Sequence, residues 1–135
     1  MRSVKSISVE IAPGELIDKI TILQIKLERV TDPRKLANVR TELDVLTAAY
    51  DRAIPASAEL TKLTGDLKAV NESLWEIEDD IRLCEWAGDF GPRFIELARS
   101  VYFQNDRRAA VKRQINELLG STIIEEKAYQ PYARM

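Results

Sequence analysis

Between Leu60 and Cys84 the apolar residues fall at Leu60, Leu63, Leu67, Val70, Leu74, Ile77, Ile81 and Cys84, in steps that alternate three and four without exception. That spacing is the a/d seam of a long amphipathic helix. At about 1.5 Å of rise per residue the seam spans roughly 40 Å. A stripe of that length has to lie against other helices for most of its course. The spacing therefore predicts an all-α fold: an antiparallel bundle of four main helices in which the two longest form a hairpin.

The rest of the chain divides around this rod. Pro13-Gly14-Glu15 starts a first helix, with proline in the first turn and an acid at the positive end of the dipole. It runs to about Val30. Leu16, Ile20, Leu23, Leu27 and Val30 form one stripe, while Ile17, Ile22 and Ile25 point elsewhere. A helix apolar on more than one face is buried on more than one face. It is either the central helix of the bundle or part of a subunit interface. Asp32 and Pro33 open a second helix that ends near Ile54, before Pro55. The short link between the two makes them antiparallel neighbours. The third helix begins within Pro55 to Ala58. Gly88 stops it, and Pro92 sits in the first turn of a fourth helix that runs to about Leu119 and stops at Gly120. Phe90 is placed to plug the open end of this hairpin. The ends of the chain differ from the helices. Residues 6–11 alternate, with Ile7, Val9 and Ile11 on one face, which predicts a short strand. A lone strand is unstable. Its partner would be the stretch from Ser121 to Glu125 or a second copy of the chain. Residues 121–135 have no clear period and read as a less ordered tail, which either docks on the bundle through Tyr129 and Tyr132 or frays.

Composition narrows the function. The 135 residues suit one domain, and a hydrophobic content of 45% is enough for a core. The formal net charge of −2 argues against nucleic acid as a partner. No histidine is present, so the commonest general base and transition-metal ligand is missing. The single cysteine, Cys84, excludes an intramolecular disulfide and a cysteine-rich zinc site, and its seam position makes it a small core residue. No apolar run approaches the roughly 20 residues of a membrane span, and the start lacks a signal core, so a cytoplasmic protein without a membrane partner is expected. No phosphate-binding glycine loop, cofactor motif or nucleophile–base pair occurs.

Three polar constellations remain. The seam of the fourth helix reads Phe94, Leu97, Val101, Gln104, Arg108, Val111, Ile115 and Leu118, so Gln104 and Arg108 interrupt an apolar line. Folding the hairpin about Asp89 to Gly91 gathers Asn71, Trp75, Gln104, Asn105 and Arg108 halfway along it, with Glu78 a turn away. A buried arginine needs a carboxylate, and Glu72, Glu78 and Asp106 are nearest in sequence. Such a layer either fixes helix register or lines a pocket for an anionic small molecule held by Arg108 and Arg107. The second constellation is acidic: Glu76, Glu78, Asp79 and Asp80. With Glu15 and Asp18 these could serve Mg2+ chemistry on a phosphorylated substrate. However, Glu76 and Asp79 point away from the seam, and Glu78 and Asp80 are better read as partners of Arg82, Arg93 or Arg99; no metal site is expected. The third, Arg107, Arg108, Lys112 and Arg113, is a small basic patch of the kind a solvated helix face carries.

Pro13 to Leu23, Asn71 to Arg82 and Gly88 to Tyr102, with Asn105-Asp106-x-Arg108 and Ile115-Asn116, resemble segments of an uncharacterised family of small bacterial proteins. The resemblance covers nearly the whole chain and implies a bacterial source and a domain complete in itself. It implies no activity. The long seam, the two-faced first helix and the unpaired strand favour a non-enzymatic helical interaction protein that forms a homodimer, with the anion-binding polar layer as the alternative.

Overall fold

The computed structural model describes residues 3–133. Four helices follow one another: α1 (Pro13–Arg29), α2 (Pro33–Ala53), α3 (Ala58–Ala87) and α4 (Pro92–Leu118). Their ends are set by local chemistry. The Asp32 carboxylate accepts from the Arg34 amide at 2.9 Å and caps α2. The Ser57 hydroxyl accepts from the Leu60 amide at 3.1 Å and caps α3. Gly88 closes α3 in the left-handed region, at φ 67°, where a side chain would be strained.

The helix between two apolar stripes is the central one. α1 packs against α2, α3 and α4, whereas α2 makes no close backbone approach to α3 or α4. Ile17 and Ile25 are each 1% exposed, and Leu16, Ile20 and Leu23 are buried as well. Both faces of α1 are therefore largely covered within its own chain, with Ile22, Leu27 and Val30 half-buried. Cross-helix contacts fix the arrangement. Asp18 meets Asn71, Glu28 meets Lys68 and Arg29 meets Glu76, so α1 lies across the middle third of α3. Glu15 meets Lys112 and Asp18 meets Arg108, so α4 runs antiparallel to α1.

The densest core lies where α1 and α3 begin and α4 ends. Ile17, Leu60, Leu67 and Ile115 form its buried centre, with Tyr50, Ile54, Leu63, Val111 and Leu119 packed around them. Burying each large aliphatic side chain contributes about 1.5–3 kcal/mol. α1 has 17 residues and α3 has 30, so the hairpin of α3 and α4 outruns its support. Past Glu76, α1 faces α3 only across a cleft that reaches as far as Arg82, and α4 is the one other described helix beside it. There the seam still closes: Leu97 is buried, and Ile77, Ile81, Cys84, Phe94 and Val101 are half-buried.

Two local expectations change. Residues 3–11 form no strand; Ile7 is 81% exposed and Val9 71%. The alternation is real, but nothing within the described chain supplies the ladder that a strand requires. Nor does Phe90 plug the hairpin. It packs edge-on against Phe94, with ring centroids 5.3 Å apart, and stays more than half exposed because no third element reaches that end. At the other end, the tail turns back along α4. Glu125 and Glu126 pair with Lys112 and Arg113, and the Tyr132 ring packs on Tyr102 and Phe103. Tyr129 remains exposed.

Candidate functional site

At the level where the seam of α4 turns polar, three helices meet through one carboxylate. Asp18 of α1 is 1% exposed. Its Oδ1 accepts from Arg108 Nε at 2.9 Å and from Asn71 Nδ2 at 2.9 Å, and its Oδ2 accepts a short bond from Arg108 Nη2. Asn71 Nδ2 also donates to Thr21 Oγ1 at 3.0 Å, and that hydroxyl donates to the Asp18 backbone carbonyl at 2.8 Å. The paired bonds from Arg108 match the fork geometry in which a guanidinium holds a carboxylate most strongly. The hydrogen bond with Asp18 raises the Arg108 pKa; burial opposes the rise and the charge of Asp18 reinforces it. A buried aspartate left alone would be untenable. Here it is fully paired and ties α1 to both arms of the hairpin.

One turn further along α4, Lys112 repeats the pattern. Its ammonium donates to Glu15 at 2.7 Å and to Glu125 of the tail at 3.0 Å. Burial disfavours its charge, but the hydrogen bonds to these two carboxylates outweigh that, and its pKa is raised. Beside it the backbones come close. The Gly14 amide donates to Asn116 Oδ1 at 2.7 Å, and a methyl group on Gly14 would lie 2.6 Å from the Lys112 carbonyl oxygen.

A cleft of about 350 Å3 opens above the Asp18 network, between α1 and α3. Ile22, Ile25, Leu74 and Trp75 form its apolar walls. Asn71, Glu78, Asp79, Arg82 and Arg108 supply its polar atoms. Four of the six residues singled out from the sequence, Asn71, Trp75, Glu78 and Arg108, therefore line one space. Asn105, half-buried, sits one turn before Arg108 on the same face of α4 but lines neither this cleft nor the next. Gln104 is separated from them. It faces a groove on the other flank of the seam with Ser73 and Arg107, and its Oε1 is buried without a partner among the described residues.

Residues 7–133 match the model of a family of unknown function, DUF6165. The chain belongs to that family. No curated protein and no solved structure matches it. Within the DUF6165 chain the match takes in the central network, the hairpin and both irregular ends.

The carboxylate that holds Arg108 is not one of those nearest to it in sequence. Glu72, Glu78 and Asp106 lie on the two hairpin helices, whereas Asp18 arrives from α1. A signal for it exists: Gly14, Asp18, Thr21 and Ile25 step four, three, four along α1, and all four are buried. This second stripe holds small and polar residues, so a search for apolar periodicity passes over it. The acidic run on α3 resolves into surface ion pairs, Glu76 with Arg29, Glu78 with Arg82 and Asp80 with Arg93. Among the described residues no three acidic or thiol groups converge on a point that could hold a metal ion, and no helix is long and apolar enough to cross a membrane.

Proposed function

We propose that this protein is a non-enzymatic helical interaction module that self-associates through the outer end of the α3–α4 hairpin. The observation that carries this is Trp86, which is 90% exposed on a stretch of α3 that α1 does not reach. Leu83 and Trp86, three apart, share one face of the last turns of α3, and Phe90 follows in the turn just beyond Gly88. Leu83 is 65% exposed and Phe90 54%, and Ile95 at the start of α4 is exposed as well. Single apolar residues on a surface need no explanation, but several large ones gathered at one end of a small protein mark an interaction site. A two-fold pairing of identical tips is the commonest closed arrangement, and it lets each Trp86 meet the apolar face of the other copy. The flanking charges are of both signs, Arg82, Glu85, Asp89 and Arg93, which suits a self-complementary contact. The Asp18 network supports this reading by bracing the base from which the hairpin projects.

Light scattering coupled to size exclusion tests it. The wild-type protein should run as a dimer at micromolar concentration. Replacing Trp86 and Phe90 together by aspartate should weaken the dimer by about 2 kcal/mol or more, some thirtyfold in Kd. The circular-dichroism spectrum should be unchanged, and the melting temperature extrapolated to low concentration should fall by no more than the loss of one aromatic contact, Phe90 on Phe94, about 0.5–1.5 kcal/mol. A wild-type monomer throughout the micromolar range, or a dimer untouched by the double substitution, contradicts the proposal.

A further inference from the structure

The cleft beside Arg108 has a property that bracing alone does not require. Arg108 spends Nε and Nη2 on Asp18. A guanidinium has five N–H groups, and a bidentate bond along one edge leaves the other edge open. Among the described residues nothing accepts from Arg108 Nη1, and the side chain is 31% exposed. Since Arg108 lines the cleft, its free edge is the part the cleft can use. Asp18 thus orients this arginine and holds it charged before any ligand arrives.

The remaining walls say what would fit. Ile22 and Ile25 of α1 and Leu74 and Trp75 of α3 supply apolar and aromatic walls. Glu78 and Asp79 of α3 stand in the same cleft, and the one other cation in it, Arg82, is loosely paired with Glu78 at 3.4 Å. Asp18 lies behind Arg108. The local charge is therefore slightly negative, although it contains one fixed donor edge for an anion. A dianionic phosphate would meet Asp18, Glu78 and Asp79 and be repelled. A carboxylate carrying a cationic group nearby would satisfy both signs. The volume of about 350 Å3 lies at the small end for ligand sites.

We infer that this cleft binds a zwitterion of the amino-acid type with an aromatic or branched apolar side chain. The carboxylate lies on the free edge of Arg108, the ammonium faces Glu78 and Asp79, and the side chain lies against Trp75, Leu74 and the α1 isoleucines. This is a binding function distinct from self-association at the hairpin tip, although Arg82 borders both surfaces.

The chain has two tryptophans, so Trp86→Phe leaves Trp75 as the only indole. Titrations of that variant are followed by the Trp75 indole N–H resonance. L-Phenylalanine should shift it saturably at millimolar concentration. Phenethylamine, which lacks the carboxylate, and 3-phenylpropanoate, which lacks the ammonium, should each bind at least about tenfold more weakly. Phenyl phosphate should give no saturable shift. Glu78→Gln combined with Asp79→Asn changes only exposed side chains, so the fold is retained. It should weaken L-phenylalanine about tenfold while leaving 3-phenylpropanoate no weaker. No saturable shift with L-phenylalanine, tighter binding of phenyl phosphate, or an affinity indifferent to the double substitution would each overturn the inference.

Discussion

Replacing Asp18 by alanine is expected to destabilise the protein by roughly 3–5 kcal/mol, the range for breaking a buried ion pair from one side. The substitution leaves Arg108 partly buried without its carboxylate and strips Asn71 of its best acceptor. Because Arg108 and Asn71 belong to the two arms of the hairpin, both lose their hold on α1 at once. In thermal unfolding this should lower the melting temperature by roughly 10 °C or more. Alanine at Glu78, whose only ion pair among the described residues is with exposed Arg82, should change stability by less than about 1 kcal/mol. Removing both charges is a different experiment. Asp18→Leu together with Arg108→Met replaces the pair by apolar volume and should recover much of the loss, since buried pairs contribute little net stability over well-packed hydrophobes. Urea unfolding of the single and combined variants separates these cases.

Gly14→Ala is expected to have the next largest effect. Alanine is ordinarily the better helix former by about 1 kcal/mol. At Gly14, however, the new methyl carbon would sit 2.6 Å from the Lys112 carbonyl oxygen and 2.8 Å from Asn116 Oδ1. The first of these is backbone in the middle of a helix and cannot turn aside. α1 and α4 would have to separate, which loosens the 2.7 Å bond from the Gly14 amide to Asn116 and strains the neighbouring pairing of Lys112 with Glu15. The net loss should be about 2 kcal/mol, within the usual cost of overpacking. Gly65 provides the contrast. Nothing lies within 4 Å of the position its methyl would take, so Gly65→Ala should stabilise by up to about 1 kcal/mol. Opposite signs for one chemical change, read as shifts in urea midpoint, would establish that close approach and not helix propensity sets the demand at Gly14.

Periodicity was enough to read the architecture, because the dominant physical requirement of this chain is burial of regular stripes. The seam from Leu60 to Cys84, the cap at Asp32, the stop at Gly88 and the two-faced character of α1 all follow from local spacing and local chemistry. The break in the α4 seam likewise located Arg108, and the hairpin register brought Asn71 and Trp75 to its level. Two things were out of reach. The partner of Arg108 depends on where α1 lies in three dimensions. Asp18 sits beside Glu15 and Lys19 in a sequence that looks like an ordinary charged turn, and only the 4-3-4 run from Gly14 to Ile25 sets it apart. The side of the seam on which a polar residue emerges was the second. Gln104 and Arg108 are four apart and share a seam position by rule, yet a helix turns about 40° over four residues beyond a full turn. That rotation carries Gln104 to the opposite groove. The strand expected at residues 6–11 failed for a related reason: alternation describes a surface, and a strand also needs an edge to pair with.

All of this rests on a buried carboxylate that joins α1 to both arms of the hairpin. A double-mutant cycle on Asp18 and Arg108, with each residue replaced by alanine singly and together and stability measured by urea unfolding, addresses that contact without reference to function. A coupling energy of about 2 kcal/mol or more is the expected result, in the upper part of the range for residues in direct contact. A coupling below about 0.5 kcal/mol, the level at which distant sites simply add, would contradict it.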